Sequence, residues 1–438
     1  MAVAPWQVGG YAAMTARFAD LVENPNSPLQ ETQDYPEIHA ESEITARDFL
    51  TLRRKAVLDG CKWDPQVGDT DTLASFPLVL KSSSWNRLAS WAERLTEETI
   101  DAETEILREI GLLNMLGLPA RLRRVLADPS PLTPSIGRVM RFDFHPTPQG
   151  WRISETNSDV PGGYSEGEYF TALMAAHFPN LRPAGRPGDS WADALAAGTS
   201  QNAVIALLSA PGYLEDHQVV SFLARKLRER GCRPHLAKPE QIVWRDRVAH
   251  LDTTWYRGPL EAIVRFYQAE WLSRLPSHTG WRLFFREGRT PVVNSAKAII
   301  TESKRFPLTW DSLSVKLPTW RALLPETRDP RDAPWSNDDG WLLKTALCNT
   351  GDTVSIRELM PSKVWLRTRL DALLRPNNWI AQKRFESLPI TTPVGPRHVC
   401  LGVYTVNGKA AGAYARMSEK PLIDFAATDV ALLVDDDD

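Results

Sequence analysis

The stretch from Arg141 to Glu166, RFDFHPTPQGWRISETNSDVPGGYSE, decides how this chain is interpreted. Two strand-like runs flank the segment PTPQG, whose proline and glycine residues are typical of a turn, so the stretch predicts a β-hairpin. Side chains two residues apart share one face of a strand, and Arg141 and Asp143 therefore project together from the first strand. Glu155 and Asn157 project together from the second strand for the same reason. If the strands pair across this turn, three oxygen-bearing side chains and one guanidinium meet on one small surface.

These residue types fit one kind of chemistry. Mg²⁺ prefers hard oxygen ligands and usually takes one or two carboxylates together with substrate phosphates. A guanidinium holds phosphoryl or carboxylate oxygens in a bidentate manner. The hairpin is therefore a candidate site for magnesium and phosphate. A surface hairpin with solvated charges is the alternative that the spacing leaves open.

Two lysines and a glutamine further along the chain are candidates for nucleotide binding. Lys297 lies in NSAKAII, in a predicted helix that follows a short predicted strand. Lys344 ends the apolar run WLL and precedes a turn-like segment, NTGD, from where a lysine can reach the phosphates of a nucleotide. Gln382, in the predicted strand WIAQK, is a suitable partner for an adenine edge. The alternatives are lysines that lie along a sheet edge and an ordinary polar residue of a strand.

Other segments predict a mixed organisation of helices and strands. Residues 202–210 form a continuous apolar run typical of a buried parallel strand, and an amphipathic helix is predicted over 215–230. Together with predicted strands over 234–238 and 262–266 this is a Rossmann-like βαβ unit, and the absence of GxGxxG argues against a dinucleotide site. Asn407-Gly408 predicts a two-residue hairpin turn. The remaining predicted features are helices over 10–22, 85–113 and 166–177, strands over 341–345 and 379–383, and a proline- and glycine-rich linker over 179–188.

Composition and charge exclude several classes of protein. The 438 residues are 43% hydrophobic and 24% charged, which is ordinary for a globular protein and unlike a disordered one. A net charge of −3, from 51 basic and 54 acidic residues, argues against nucleic acid or an anionic membrane as a main partner. No run approaches the roughly 20 apolar residues of a membrane span, and the N-terminus lacks the pattern of a signal peptide. The four cysteines are widely spaced and indicate neither a disulfide framework nor a zinc site, so we expect a cytoplasmic protein.

The order of these motifs resembles that of the glutathionylspermidine synthase-like ATP-grasp ligases, a circularly permuted branch of that superfamily. The metal-binding block of the family has the form R-x-D, a spacer, E-x-N, and a short loop that contains proline. Arg141-Phe142-Asp143, Glu155-Thr156-Asn157 and the loop over 158–163 match this block in order. The lysines follow the metal block in this chain, as the permutation requires. The resemblance extends over about residues 131–424.

The resemblance implies an ATP-dependent ligase that joins a small-molecule or peptide carboxylate to an amine through an acyl phosphate, and releases ADP and phosphate. ATP and one or two Mg²⁺ ions would be its cofactors. Arg141 would be catalytic and would stabilise charge on the transferring phosphoryl group. The other implied site residues are the metal ligands Asp143, Glu155 and Asn157, the nucleotide-binding residues Lys297, Lys344, Gly351 and Gln382, and the substrate-binding residues Ser158, Asp159, Pro161, Gly162, Gly163 and Arg416.

The resemblance also implies a fold class of mixed α+β and α/β character. The expected architecture is a circularly permuted ATP-grasp fold with a Rossmann-like βαβ section and a helical N-terminal region. The expected divisions are a mostly helical N-terminal region over 1–130, the metal-binding hairpin and substrate loop over 131–190, a Rossmann-like βαβ substrate domain over 191–280, and the ATP-grasp nucleotide-binding region over 281–438.

Two other functions remain open on the sequence. A non-catalytic ATP-grasp relative that binds nucleotide or a peptide is favoured by the glycine-poor phosphate loop over 348–352. A hydrolase that uses Asp143 and Glu155 as a carboxylate pair is the second alternative, and it leaves the lysines unexplained. The loop over 159–164 departs from the common version in the family, so glutathione and spermidine are not assumed to be the substrates.

Overall fold

The computed structural model of the chain describes residues 36–67, 70–347, 354–424 and 426–436. The helices, numbered in chain order, are α1 Ala46–Leu58, α2 Ser82–Ile106, α3 Ile110–Met115, α4 Ala120–Leu126, α5 Thr171–Ala175, α6 Pro187–Ala197, α7 Leu214–Glu229, α8 Ala269–Leu272, α9 Ile299–Glu302, α10 Pro318–Leu323 and α11 Ser362–Leu374. The strands are β1 Ile38–Ala40, β2 Gln66–Val67, β3 Thr70–Asp71, β4 Leu78–Lys81, β5 Val139–Thr147, β6 Gly150–Asn157, β7 Leu181–Pro183, β8 Val204–Ser209, β9 Arg233–Ala237, β10 Ile242–Arg245, β11 Val248–Asp252, β12 Arg257–Pro259, β13 Ala262–Phe266, β14 Val292–Val293, β15 Thr327–Arg328, β16 Trp341–Thr345, β17 Val354–Ser355, β18 Trp379–Lys383, β19 Pro389–Thr392, β20 Gly395–Val406, β21 Lys409–Ser418, β22 Thr428–Val430 and β23 Leu432–Asp435.

The predicted hairpin is part of a large antiparallel sheet. Its strand order is β22-β21-β20-β5-β6, with β19 paired to β20. Because side chains alternate across a strand, Phe142 and Phe144 of β5 are fully buried on one face, while the residues between them point to the other face. The apolar face packs against α2, where the hydroxyl oxygens of Thr96 and Thr405 lie 2.7 Å apart. The opposite face is left to form the floor of a cavity.

Helix α2 covers only part of the helix predicted over 85–113. It ends at Ile106, and Glu109 has φ −113° and ψ 89°, which interrupts helical geometry before α3 begins. The exposed residues 108–111 separate buried Ile106 from buried Leu112 and Leu113. The chain is exposed at the break and buried on both sides of it. The helix predicted over 10–22 lies outside the described residues.

A parallel sheet forms the second main layer. Its strand order is β14-β13-β8-β9, and every neighbouring pair is parallel. Helix α7 connects β8 to β9 and buries one apolar side, which includes Val220, Leu223 and Leu227. This arrangement confirms the predicted βαβ unit, with strand bounds that differ from the prediction by one or two residues.

A small sheet joins segments from distant parts of the chain. Its order is β1-β4-β23-β7, and β4 pairs in parallel with β23 near the C-terminus. The predicted linker over 179–188 is wrong, because it contains β7 and the start of α6. Pro187 occupies the first turn of α6, where a missing N–H is harmless, so the proline and glycine content here marks element ends.

The last part of the described chain forms a further sheet and a hairpin. The strands predicted over 341–345 and 379–383 are β16 and β18, in a sheet of order β15-β18-β16-β17. The turn between β20 and β21 has positive φ at Asn407 (50°) and Gly408 (81°), as the dipeptide predicted. The helix predicted over 166–177 instead begins as a π-helical turn, Ser165–Phe170, and continues as α5. No helix in the described ranges has the length and apolar character needed to cross a bilayer.

Candidate active site

A cavity of about 770 Å³ lies on the polar face of the large sheet. Its wall includes side chains from β5, β6, β16, β18 and β21, from the end of β13, and from the segment that follows β8. The residues of the sequence-based prediction that line this cavity are Arg141, Asp143, Glu155, Asn157, Gly162, Gly163, Lys344, Gln382 and Arg416. Most of the predicted site is thus gathered around one space.

The hairpin register brings the four polar residues of the first motif together. Asp143 pairs with Glu155 and Arg141 pairs with Asn157, with an irregularity in the register immediately after Asp143. Arg141 donates from Nε and Nη2 to the two carboxylate oxygens of Asp143, at 2.7 and 2.9 Å. Asn157 Nδ2 donates to Asp143 Oδ2 at 3.2 Å. The carboxylate of Asp143 is therefore held in one orientation by two neighbours.

Arg141 is fixed on several sides. Its Nη1 donates to the carbonyl of Gly162 at 3.0 Å, and its guanidinium carbon lies 5.1 Å from the ring centre of Tyr414. Burial acts to lower the pKa of Arg141, but the charge and hydrogen bonds of Asp143, together with Tyr414 and Tyr404, raise that pKa well above its ordinary value. Burial likewise acts to raise the pKa of Asp143, whereas Arg141 holds it below the ordinary range. Both groups are therefore charged at neutral pH.

Glu155 has a partner that the sequence motif did not include. Lys304 Nζ lies 3.2 Å from Glu155 Oε2 and 3.8 Å from Glu302 Oε1. Burial acts to raise the pKa of Glu155, but Lys304 and Lys344 together hold it below its usual range. The only signal for Lys304 in the sequence was its place in the same segment as Lys297. Lys304 is thus the counter-ion of two buried carboxylates.

Two predicted nucleotide-binding residues lie in a partly apolar section of the wall. Lys344 Nζ donates to the carbonyl of Ser154 at 2.9 Å, and Gln382 Nε2 donates to Thr327 Oγ1 at 2.9 Å. The neighbouring wall residues of β16 to β18 and the segment after them include Leu342, Val354, Ile356 and Phe385. An apolar slot with an amide at its edge suits a heteroaromatic base.

Several residues predicted to bind ligands lie elsewhere. Lys297 does not line the cavity, because its ammonium turns toward the buried carboxylate of Glu103, with Nζ and Oε2 3.7 Å apart. Arg138 also pairs with Glu103. A carboxylate taken fully out of water needs cationic partners, which is the physical reason for this orientation. Gly351 lies outside the described residues.

Three residues of the predicted substrate loop are also absent from the cavity wall, namely Ser158, Asp159 and Pro161. The backbone N–H groups of Ser158 and Asp159 donate to Glu302 Oε2 at 2.7 and 3.0 Å. The Asp159 carboxylate forms an ion pair with Arg265, whose side chain has no exposed area. Buried charged and polar groups require hydrogen-bond or ionic partners, and these contacts connect the hairpin to β13 and α9.

Gly162 and Gly163 do line the cavity. Gly163 has φ +89°, and a Cβ at this position would lie 2.7 Å from the hydroxyl of Tyr404 and 2.9 Å from the ring of Tyr414. Only glycine fits such a conformation and such a close approach. Arg416 extends from β21 to within 3.9 Å of Asp143 Oδ2, which places a second guanidinium beside the metal motif.

The cavity wall also contains a buried lysine that is surrounded by three carboxylates and was not predicted from the sequence. Lys62 Nζ lies between Asp64, Glu166 and Asp429, at 3.0, 2.8 and 2.9 Å. Burial acts to lower the pKa of Lys62, but the three carboxylates raise it well above its ordinary value. Burial also raises the pKa of Asp429 to about 6. Lys62 and Asp64 are neighbours in the sequence, but Glu166 and Asp429 come from distant segments, so the sequence spacing does not show that the four residues meet.

The oxygen donors of the hairpin suit a Mg²⁺ ion that is bound partly by substrate phosphates, and they do not form a complete metal site by themselves. In the part of the chain that the structure describes, no three His, Cys, Asp or Glu side chains converge as a ready-made metal site. Asp143 and Glu155 supply two carboxylates, and Asn157 supplies an amide oxygen, on one face of the hairpin. Mg²⁺ is commonly held by one or two carboxylates and substrate phosphates, so this set is chemically sufficient.

Comparisons with known proteins show which fold and family the chain resembles. No curated protein is recognisably similar in sequence. Among solved structures, the chain is similar to a glutathione synthetase-like effector from Globodera pallida in its apo form, with 12% identity, 88% of this chain and 96% of that chain covered, and a TM-score of 0.58. A putative γ-glutamylcysteine synthetase from Methylobacillus flagellatus KT has 12% identity, coverage of 77% and 86%, and a TM-score of 0.40. The effector structure shows a shared fold at this identity.

The decisive comparison is with a family model. The model described as glutathionylspermidine synthase preATP-grasp matches residues 60–435, which include the hairpin, the βαβ unit and the closing strands. The match confirms the resemblance that the R-x-D and E-x-N motifs indicated. The chain belongs to the glutathionylspermidine synthase preATP-grasp family.

Proposed function

We propose that this protein is an ATP- and Mg²⁺-dependent ligase that joins a carboxylate to an amine. The proposal rests on family membership and on the contents of one cavity. The observation that carries it is the convergence of Arg141, Asp143, Glu155 and Asn157 on one sheet face, with Lys344 in the same cavity wall. Two carboxylates, an amide and several cations around an enclosed space suit a phosphate-bearing cosubstrate.

The proposed reaction has two steps. A carboxylate oxygen of the acid attacks the γ-phosphorus of ATP, the bond from that phosphorus to the β–γ bridging oxygen breaks, and ADP leaves. The amine nitrogen then attacks the acyl carbon, the bond to the phosphate oxygen breaks, and the nitrogen loses a proton as the amide forms. Catalysis of such steps depends chiefly on position and on stabilisation of charge.

The residues of the cavity wall have distinct roles in the proposed reaction. Arg141, already oriented by Asp143 and Gly162, stabilises charge on the transferring phosphoryl group and on the tetrahedral intermediate. Asp143, Glu155 and Asn157 would hold Mg²⁺, which when bound supplies positive charge beside the phosphates. Lys344 binds phosphate oxygens and Gln382 binds the base. Gly162 and Gly163 allow substrate to approach Arg141 closely.

The metal assignment is tested through the Mg²⁺ dependence of phosphate release. Asp143→Asn and Glu155→Gln each remove a hard, charged ligand while keeping the size of the side chain. We expect the Mg²⁺ concentration for half-maximal activity to rise at least tenfold, in line with the roughly 10- to 100-fold effects seen around metal sites. The measurement is phosphate released from ATP with panels of acids and amines.

Asp252→Asn is the control for these variants, because Asp252 pairs with exposed Arg257 on a separate small sheet. If Asp143→Ala and Glu155→Ala both leave phosphate release intact, the metal assignment is wrong. MgATP binding without turnover on any panel would instead identify a non-catalytic nucleotide-binding protein.

Substitutions of Lys344 and Lys297 are expected to differ in their effect on MgATP affinity. Lys344→Met is expected to weaken MgATP binding about tenfold, because one charge-assisted contact to phosphate is lost. Lys297→Met is expected to change MgATP affinity less than twofold, because Lys297 faces Glu103 and not the cavity. Both affinities are measured by calorimetry at one ionic strength. Stronger weakening by Lys297→Met than by Lys344→Met would restore the assignment made from the motif.

A further inference from the structure

A part of the cavity wall outside the proposed magnesium and phosphate site is rich in aromatic and apolar side chains. It lies at the carboxyl ends of the parallel strands β8 and β13, where α/β sheets commonly bind ligands. We call it the aromatic subsite and define it by the wall residues Phe266, Gln268, Trp271, Tyr213 and Leu214. The ring centres of Tyr213 and Trp271 are 5.1 Å apart. Tyr213 and Leu214 are 55% and 47% exposed, so both offer apolar surface to a bound group.

Gln268 contributes a buried polar group to the wall of this subsite. The residue is only 8% exposed and lines the cavity, yet its Oε1 accepts no hydrogen bond from any residue in the described ranges. A buried acceptor that lacks a donor costs free energy, and native proteins seldom leave one. A ligand N–H group would satisfy it. This observation is independent of the aromatic wall and points to the same space.

The segment that carries Phe266 and Gln268 is held rigidly. Asp159 pairs with Arg265 and accepts from the backbone N–H of Ala269 at 2.8 Å, so both sides of Gln268 are anchored. The subsite also lies close to Arg141. A Cβ on Gly162 would sit 3.9 Å from Phe266 Cζ, and the carbonyl of Gly162 accepts from Arg141. A group bound here is therefore next to the proposed reacting centre.

The charge around the subsite distinguishes the two substrates. Glu215, Asp216 and Glu270 line the same part of the cavity, and Glu270 pairs with Arg274 at 3.6 Å. Carboxylates here disfavour a second carboxylate and favour a cationic or N–H-bearing group. Faces of Trp and Tyr rings also attract ammonium groups. The subsite is thus suited to the amine and not to the acid.

We propose that the aromatic subsite binds the amine substrate and selects amines that carry an aromatic or branched aliphatic side chain. The apolar part of the amine packs on Phe266, Trp271 and Leu214, and its nitrogen donates to Gln268 Oε1. The assignment of this ligand as a substrate rests on the proposed ligase function. The binding preference itself is measured without ATP.

The test is calorimetric titration of the full chain with ethylamine, isoamylamine, 2-phenylethylamine and spermidine as probes. Each buried methylene is worth roughly a fourfold gain in affinity, so 2-phenylethylamine is expected to bind at least tenfold more tightly than ethylamine. Trp271→Ala is expected to lower the affinity for 2-phenylethylamine at least tenfold, and the milder Trp271→Leu at least fivefold. Gln268→Met keeps the side-chain length without the acceptor and should weaken every monoamine by a similar factor of about five to ten.

Trp255→Ala is the matched control, because Trp255 is 90% exposed and does not line the cavity. It should leave all four affinities unchanged, and MgATP affinity should be unchanged in every variant. Equal binding of ethylamine and 2-phenylethylamine, tighter binding of spermidine, or equal behaviour of Trp271→Leu and Trp255→Ala would overturn the proposal. Selective binding of 2-phenylethylamine without ATP turnover would support the aromatic subsite and contradict the ligase function. ATP turnover with spermidine alone would support the ligase function and contradict the aromatic subsite.

Discussion

Replacing Arg141 with methionine is expected to lower kcat/KM for ATP-dependent phosphate release at least a hundredfold. The guanidinium is held by both oxygens of Asp143 and by the carbonyl of Gly162, so it is oriented before any substrate binds. Loss of one preorganised group that stabilises transition-state charge commonly costs about a hundred- to a thousandfold. Arg141→Lys keeps the charge but not the bidentate contact, so we expect it to recover only part of the activity.

The pH dependence of activity separates two effects of Arg141→Met, namely the loss of the guanidinium itself and the changed protonation of Asp143. Without Arg141, burial raises the pKa of Asp143 and the charge of Arg416 opposes this only in part, so Asp143 becomes protonated at a higher pH than in the unchanged protein. Residual activity of Arg141→Met should therefore increase as the pH rises, more steeply than the activity of the unchanged protein. Arg257→Met, at an 80% exposed side chain, is the control. Full activity of Arg141→Met at pH 7 would show that Arg141 has no part in the reaction.

The largest effect on stability is expected from Asp159→Ala. This change leaves the guanidinium of Arg265, which has no exposed side-chain area, without its carboxylate, and it removes the acceptor for the N–H of Ala269. Breaking a buried ion pair from one side typically costs about 3–5 kcal/mol, because the remaining charge stays out of water. Urea unfolding monitored by fluorescence should show a correspondingly lower midpoint.

A double variant shows whether the cost comes from the orphaned charge. Asp159→Leu combined with Arg265→Met removes both charges and keeps apolar volume, so it should be more stable than Asp159→Ala alone. Asp252→Ala breaks an exposed pair and should change the free energy of unfolding by less than about 1 kcal/mol. A similarly small change for Asp159→Ala would mean that the buried pair does not hold the segment after β13.

Local sequence patterns predicted helices, strands and turns well in segments where one hydrophobic periodicity or one turn signal is present throughout. The β5–β6 hairpin, the βαβ unit and the Asn407-Gly408 turn follow from alternation, from an apolar run and from turn chemistry. The prediction over 85–113 missed a break because the apolar spacing of Ile106, Ile110 and Leu113 continues across it. The proline- and glycine-rich segment over 179–188 was wrong as a linker because such residues also mark the ends of elements.

The site shows the same division at the level of single residues. The sequence by itself placed Arg141 with Asp143 and Glu155 with Asn157, because alternation along a strand is a local property. The register irregularity after Asp143, which the sequence did not show, brings the two pairs onto one face. Only the tertiary structure decided that Lys304 and not Lys297 stands beside Glu155, and that Asp159 meets Arg265. The same holds for Gln268 and the aromatic wall. Desolvation makes a buried charge or amide depend on whichever distant segment packs against it, and sequence spacing carries no information about that choice.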